Sequence, residues 1–237
     1  WYQKVYSYQG ILEALSGMPV DVEFLSFDDV LAGGLEGFDV AINAGDAGTA
    51  FSGGRRWDDP ALEAAVREWV YNGGGLIGVG EPTAYPKNGR YFALADVFGV
   101  DKEQGFTLST DKYNLKKAER HFILEDVEGA LDYGEGMKGI YAKPDATVLD
   151  IEGQDVFMAV NDYGKGRAVY IAGLPYSVQN ERILYRACHY AAHKEALLKR
   201  RYCDDTAVTV QYYPQIGEYA VVNNGEREVN STFYDGE

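Results

Sequence analysis

Apolar positions recur at helical spacing at the start of the chain. In "YSYQGILEALSG", Ile11, Leu12 and Leu15 share a face, and Gly17 stands where a glycine cap would stop the helix. "PVDVEFLSF" then alternates Val20, Val22 and Phe24, a strand composition, and Ser26 with Asp29 has the Ser-x-x-acid relation of a capping box opening a short helix to about Leu31. Phe38 to Asn43 is an apolar run that predicts a buried strand. Asp59 and Pro60 sit where an N-cap and an N1 proline belong, and Leu62, Ala65, Val66 and Trp69 share one face of the helix that "NGGG" ends. "GLIGVG", residues 75–80, has the glycine-flanked composition of a strand buried on both faces, and "YFALADVFG" reads as a further helix. Helices and strands therefore alternate. That order predicts an α/β fold with a mostly parallel sheet and helices on both faces.

Beyond Gly99 the pattern loosens through Lys117, with short strands expected near Ile140, Val148 and Phe157. "DVFMAVNDYGKGRAVYIAG" places two apolar runs around Tyr163 to Gly166 and predicts a β-hairpin. One long helix is expected over roughly Val178 to Lys199. The tail differs: "AVTVQYYP", "EYAVVNN" and "EVNSTFYDG" are β-rich runs separated by turn residues. Three strands rarely stand alone, so the tail reads as the start of a partial small β-domain. The expected division is residues 1–200 for the α/β domain and 201–237 for the β-domain.

Composition narrows the function classes. The chain has 237 residues, 46% of them apolar, enough for a real core. Thirty-seven acidic residues against 22 Lys and Arg give a net charge of −15, and no basic stripe gathers on one face. Neither nucleic acid nor an anionic membrane is an expected partner. No apolar run reaches the length of a spanning helix and no signal-peptide core is present, so a soluble protein is expected. Cys188 and Cys203 make a disulfide framework unexpected and favour a reducing compartment, with the cytoplasm as the expected location. An opening Trp1 rather than Met reads as a product of processing or excision from something longer.

The chemistry-bearing stretch is "FDVAINAGDAGTAFSGG", an apolar run that breaks at Asn43 into a glycine-rich loop. A Walker loop needs Lys followed by Ser or Thr at a helix start, and a dinucleotide fingerprint needs a two- or three-residue turn; neither is present. The loop instead reads as an ordered excursion from the C-terminal end of a strand, where ligands of open α/β sheets bind. Asn43, Asp46, Thr49 and Ser52 are its substrate-facing candidates, and Arg55 and Arg56 its anion-binding candidates. The bland alternative is a folded surface loop. A nucleophile elbow at "GLIGVGEPTA" would need Cys or Ser after the strand, but Gly78 to Pro82 offers neither. Glu81 joins the substrate-facing candidates, against the simpler reading of a carboxylate that satisfies turn N–H groups. His189 and His193 are four apart, with Cys188 and Cys203 near in sequence, but Tyr190 stands where a zinc protease has Glu. Dipole complementation is the preferred account and no metal is expected. The pairs Asp28-Asp29, Asp58-Asp59 and Asp204-Asp205 read as caps and turns rather than as a glycosidase pair.

Several blocks, "YSYQGILEALSGMPVDVEFLSFDD", "DVAINAGDAGTAFSGG", "GGGLIGVGEPTA", "VNDYGKGRAVYIAGLPYS" and "YYPQIGEYAVVNN", together resemble the galacto-N-biose/lacto-N-biose phosphorylases and their galactosyl-rhamnose-cleaving relatives. The resemblance covers essentially the whole chain. It implies the central glutaminase-like domain, a non-catalytic relative of the class I amidotransferases, plus the first strands of the C-terminal β-domain. It further implies a preceding barrel that carries the general acid, the galactose pocket and most phosphate ligands. The implied reaction is inverting phosphorolysis of galactosyl-β-1,3-N-acetylhexosamine to galactose 1-phosphate without a cofactor. On this reading the catalytic residues lie outside the chain, and the chain alone is expected to be inactive. Its expected partners are the barrel of the same protein, a second copy in a homodimer, and sugar and phosphate as substrates of the whole. The resemblance also implies that the first strand of the domain precedes Trp1. Two rival readings are a scaffold or oligomerisation domain and a free-standing sugar-binding module.

Overall fold

The computed structural model describes residues 6–105 and 116–236. Helix α1 (Tyr6–Gly17) is followed by α2 (Phe27–Leu31), and Ser26 and Asp29 form the anticipated reciprocal capping box. Strand β1 (Val40–Gly45) leads through the glycine-rich loop and one 3-10 turn (Gly54–Asp58) to α3 (Pro60–Tyr71), where the Asp59 side chain accepts from Ala61 N. Strand β2 (Gly75–Gly80) is buried at every position, which its apolar and glycine sequence permits. A hairpin of β3 (Ala84–Lys87) and β4 (Arg90–Phe92) follows. It turns at Asn88 and Gly89, both left-handed, as a two-residue hairpin loop requires. Helix α4 (Ala95–Phe98) is shorter than "YFALADVFG" predicts, because Tyr91 and Phe92 belong to β4.

Strand β5 (Val100–Lys102), the two-residue β6 (Lys116–Lys117) and β7 (Ile140–Ala142) precede β8 (Thr147–Glu152), β9 (Asp155–Tyr163) and β10 (Gly166–Ile171). The six-stranded sheet runs β1-β2-β10-β9-β8-β6. It is mixed: β1, β2 and β10 are parallel, as is β6 with β8, whereas β9 is antiparallel to both neighbours. The cause is local. Gly164 and Lys165 alone join β9 to β10, and so short a link reverses the chain. Side-chain alternation then divides the interior: Leu76, Ala168 and Tyr170 face a core shared with Leu62, Val66 and Val70 of α3, while Ile77, Val79, Val169 and Ile171 face Ile11 and Ala14 of α1. Helices thus cover both faces. Gly78 is needed where α4 crosses the sheet, since a Cβ there would lie 2.6 Å from the Phe98 ring.

Two further expectations fail. Residues 21–26 form no strand, and Val20, Val22 and Phe24 are 36%, 47% and 69% exposed, because no neighbouring strand offers them a ladder. The anticipated long helix is two, α5 (Val178–Ala191) and α6 (Glu195–Arg200). His193 adopts φ +57 between them, His193 N bonds Tyr190 O at 3.1 Å and Lys194 N bonds His189 O at 2.8 Å. Those two bonds are a Schellman closure with histidine in the usual place of glycine.

The tail carries β11 (Arg201–Cys203), β12 (Val208–Tyr213), β13 (Glu218–Asn223) and β14 (Phe233–Asp235), in two antiparallel pairs, β11 with β14 and β12 with β13. The three β-rich runs are therefore strands. Asn224 Nδ2 donates to Glu181 Oε1 at 2.6 Å, joining the tail to α5. No helix among the described residues is long and apolar enough to cross a membrane.

Candidate functional site

Strands β1 and β2 end side by side, Gly45 opposite Gly80, and the chain leaves both at the C-terminal end of the sheet. Such ends collect loops rather than ladder bonds. Gly80 turns with φ +76, its carbonyl fixed by the buried Tyr170 hydroxyl at 3.1 Å. The left-handed position that ends the strand therefore has no side chain. Glu81 follows, and its N–H donates to Gly45 O at 2.9 Å, tying the two strand ends together.

The Glu81 carboxylate is the centre of this surface. Oε2 accepts from Ala47 N at 2.8 Å, while Oε1 accepts from Lys102 Nζ at 2.9 Å and from the Tyr91 hydroxyl. Burial alone would raise its pKa; the Tyr91, Ala47 and Lys102 donors more than offset that and hold it below the ordinary carboxylate value. Glu81 is thus kept ionised. Lys102 also lies 4.5 Å from the Tyr91 ring centroid, completing a charged, aromatic-backed cluster.

The glycine-rich loop folds upon itself. Asp46 O accepts from both Thr49 Oγ1 at 2.8 Å and Ser52 Oγ at 2.7 Å, and Ser52 O accepts from Trp57 Nε1 at 2.6 Å. Ser52 is fully buried, and its hydroxyl is spent within the loop. Gly53, at φ +99, lets the Trp57 ring approach where a Cβ would stand 2.5 Å from Nε1. Asn43 donates to Phe51 O at 3.3 Å and accepts from Thr83 N at 2.8 Å, bridging the loop to the turn beyond β2. Asn43, Asp46, Thr49, Ser52 and Glu81 are therefore brought together. The exposed surface above them is made by Ala47, Gly48, Ala50, Phe51 and Arg55. Arg56 is engaged by Asp28 at 2.5 Å, whereas Arg55 is exposed and forms no ion pair among the described residues.

Sequence reasoning missed Thr83, Tyr91 and Lys102. Thr83 is buried with φ +54, an uncommon conformation for a β-branched residue, held by Asn43 from one side and by Leu94 N on its own hydroxyl at 3.3 Å. The Asn88-Gly89 turn was the one available signal, since that hairpin swings Tyr91 back onto Glu81.

The other candidates lie apart. His189 Nδ1 is 2.9 Å from Tyr185 O, and burial pushes its pKa down, which disfavours the charged form. His193 lies beyond the end of α5 and shares no helical face with it. Among the described residues no group of three His, Cys, Asp or Glu side chains is placed to hold a metal. Cys188 and Cys203 are both free thiols. Asp28 pairs with Arg56, Asp58 with Lys87 at 2.6 Å, and Asp204 accepts from Ser231 Oγ at 2.7 Å, while Asp29 and Asp59 cap helices. Each of these three pairs is thus engaged in caps, ion pairs or hydrogen bonds of its own.

Residues 1–196 match the family described as lacto-N-biose phosphorylase central domain, and the chain belongs to that family. It is 51% identical over 237 residues to a 1,3-beta-galactosyl-N-acetylhexosamine phosphorylase of Lachnoclostridium phytofermentans, covering 99% of this chain and 33% of the relative. A 1,3-beta-galactosyl-N-acetylhexosamine phosphorylase of Bifidobacterium longum is 42% identical over 264 residues, covering 97% of this chain and 35% of its own length. A D-galactosyl-beta-1->4-L-rhamnose phosphorylase of Lachnoclostridium phytofermentans is 33% identical over 90% of this chain and 29% of that protein. The chain thus spans about a third of the length of the curated relatives it matches. Among solved structures, cytoplasmic protein STM3548 of Salmonella typhimurium has a TM-score of 0.55 at 18% identity, covering 78% of this chain and 87% of that one. That likeness is one of fold.

Proposed function

We propose that this chain is the non-catalytic central region, with the start of the C-terminal β-domain, of an inverting β-galactosyl phosphorylase. The relatives are named 1,3-beta-galactosyl-N-acetylhexosamine phosphorylases, which supports phosphorolysis of such a galactoside as the reaction class; on this reading the product is galactose 1-phosphate. The observation that carries the non-catalytic reading is the state of Glu81. A general acid must hold its proton near neutral pH, and Glu81, the carboxyl at the centre of the strand-end surface, is driven the other way by three donors. Asp101 and Glu181 are raised by burial, but each is 3% exposed and already bound, Asp101 by the Tyr91, Phe92 and Lys102 amides and Glu181 by Tyr176 and Asn224. Neither can reach a glycosidic oxygen.

On this reading the sheet is glutaminase-like with the nucleophile position held by Gly80, and bond cleavage belongs to a barrel elsewhere in the same protein. Phosphate is itself the nucleophile, so one carboxylic acid in that barrel suffices. The 46–58 loop projects toward the barrel and closes its pocket, with Arg55 at the phosphate. The whole works as a cytoplasmic homodimer without a cofactor. Assaying residues 1–237 beside the full-length protein on lacto-N-biose and phosphate tests the reading. Galactose 1-phosphate is expected from the full-length protein alone. Turnover by residues 1–237 overturns the non-catalytic role, and a full-length protein inert on galactosyl-hexosamines overturns the parent assignment.

A further inference from the structure

Three asparagines of the chain precede a glycine: Asn72, Asn88 and Asn224. That pairing has a chemistry of its own. The backbone nitrogen of the following residue can attack the asparagine Cγ and close a five-membered imide, and a glycine has no side chain to hinder the approach. The reaction needs a carboxamide that is free to turn, a following N–H without an acceptor, and a backbone able to bring the two together. The three sites differ in what they supply.

At Asn72 the following amide is occupied. Asn72 is the C-cap of α3, and Gly73 N donates to Val70 O at 2.9 Å. At Asn224 both reacting groups are held: Nδ2 donates to Glu181 Oε1 at 2.6 Å and to Thr209 Oγ1 at 3.3 Å, and Gly225 N donates to Asn223 Oδ1 at 2.9 Å. Asn88 differs in each respect. It is exposed in the turn of the β3–β4 hairpin, and neither its carboxamide nor Gly89 N makes a hydrogen bond among the described residues. Nothing lies within 4 Å of where a Cβ on Gly89 would stand, so solvent reaches both groups.

The turn supplies the motion. Asn88 at φ +55 and Gly89 at φ +77 have the paired left-handed conformations of a type I′ turn. Flipping the one peptide plane between them gives a type II′ turn, the other two-residue hairpin loop, so the strands stay paired. The flip carries ψ of Asn88 to about −120° and brings Gly89 N round to the side of Cγ. A residue with a Cβ is strained in that form, which makes the step slow.

We propose that Asn88 is a site of spontaneous modification, deamidated by way of an imide with water as the co-reactant. Gly89 N gives its proton to solvent base and bonds to Asn88 Cγ; the Cγ–Nδ2 bond breaks, and ammonia leaves with a proton from water. Water then adds to one of the two imide carbonyls. Opening between Cγ and nitrogen leaves an aspartate in an ordinary backbone, whereas opening between the main-chain carbonyl and nitrogen leaves an isoaspartate, whose Cβ has entered the main chain. The second product lengthens a loop whose geometry is fixed by having two residues. Tyr91, whose hydroxyl Glu81 accepts, is the second residue of β4 beyond that loop. The modification therefore acts on the support of the Glu81 cluster, whatever the reaction of the whole protein.

Ageing the native full-length protein at pH 8, followed by digestion and mass spectrometry, tests this without reference to catalysis. The Asn88 peptide is expected to gain the mass of an amide-to-acid conversion, to take up one heavy oxygen from labelled water, and to accept a methyl group from an isoaspartyl methyltransferase. Asn72 and Asn224 are expected to convert at least about tenfold more slowly, since hydrogen bonds must open first, and to catch up in urea. Native conversion of Asn72 or Asn224 as fast as that of Asn88, or an Asn88 that persists unchanged while unfolded controls convert, overturns the proposal. The Tyr91 and Phe92 amides, each bonded to Asp101 Oδ1 at 3.0 Å, report on β4. Their hydrogen exchange is expected to quicken about tenfold in the isoaspartate form and to stay slow in Asn88→Asp, which has the charge without the longer backbone. Equal exchange in the two forms overturns the effect on the cluster.

Discussion

Thr83 N donates to Asn43 Oδ1 at 2.8 Å, so two residues forty positions apart hold the exits of β1 and β2 together. Thr83 is fully buried, and its left-handed backbone persists only while its surroundings fix it. Asn43→Ala leaves that amide buried without its acceptor and is expected to cost about 1–3 kcal/mol. Urea unfolding of the full-length protein reads this as a lowered midpoint with unchanged slope. An unaltered midpoint would mean that the bond contributes nothing net.

Glu81 ties pH to the stability of the same surface. Its folded pKa lies below the ordinary 4.5, so its contribution is fully present above pH 4.5 and is lost as pH falls through the folded value. Glu81→Gln keeps the shape but leaves the Lys102 ammonium without its counter-charge. The variant is expected to be less stable than the parent at pH 7, with the gap narrowing as pH falls below 4.5. Parallel denaturation curves from pH 7 to pH 3 check this, and a gap independent of pH would contradict it.

Burial pushes the Cys188 thiol up to about 12, which leaves almost no thiolate at neutral pH. Iodoacetamide at pH 8 is expected to leave Cys188 unmodified in the native protein and to label it after denaturation. Mass spectrometry of peptides from both samples distinguishes the outcomes, and native labelling would refute the assignment.

The two arginines of the loop should separate kinetically. Arg56 is held by Asp28 at 2.5 Å, whereas Arg55 is exposed without an ion pair among the described residues. On the proposed function, Arg55→Ala in the full-length protein is expected to raise KM for phosphate roughly tenfold, the scale of one charged hydrogen bond, with little change in KM for the disaccharide. Arg56→Ala should move neither. Equal effects at the two positions, or none at Arg55, would remove phosphate binding from this loop.

What could be read in advance divides along physical lines. The capping box at Ser26, the cap at Asp59 and the turn at Gly164 depend on neighbours in sequence, and they form as read. Helix and strand order was legible for the same reason. The mixed character of the sheet was less so, although the short β9–β10 link already required one antiparallel pair. Val20, Val22 and Phe24 have strand composition but no ladder beside them, because pairing belongs to two segments rather than one. His193 closes α5 in a conformation more often left to glycine, so nothing in its identity marks the end. At the site, "FDVAINAGDAGTAFSGG" announced an ordered loop, yet the burial of Ser52 and the convergence of Tyr91 and Lys102 on Glu81 arise from tertiary contacts. Short polar side chains in a glycine-rich loop can face outward or stitch the loop to itself, and only packing decides between them.

The single carboxyl shared by Asn224, Tyr176 and α5 gives the molecule a mechanical character. The β12–β13 hairpin is thereby tied to the helix layer at Glu181 as well as through the chain that runs from α6 into β11. A change at this one carboxyl is therefore felt by the helix and the C-terminal strands together.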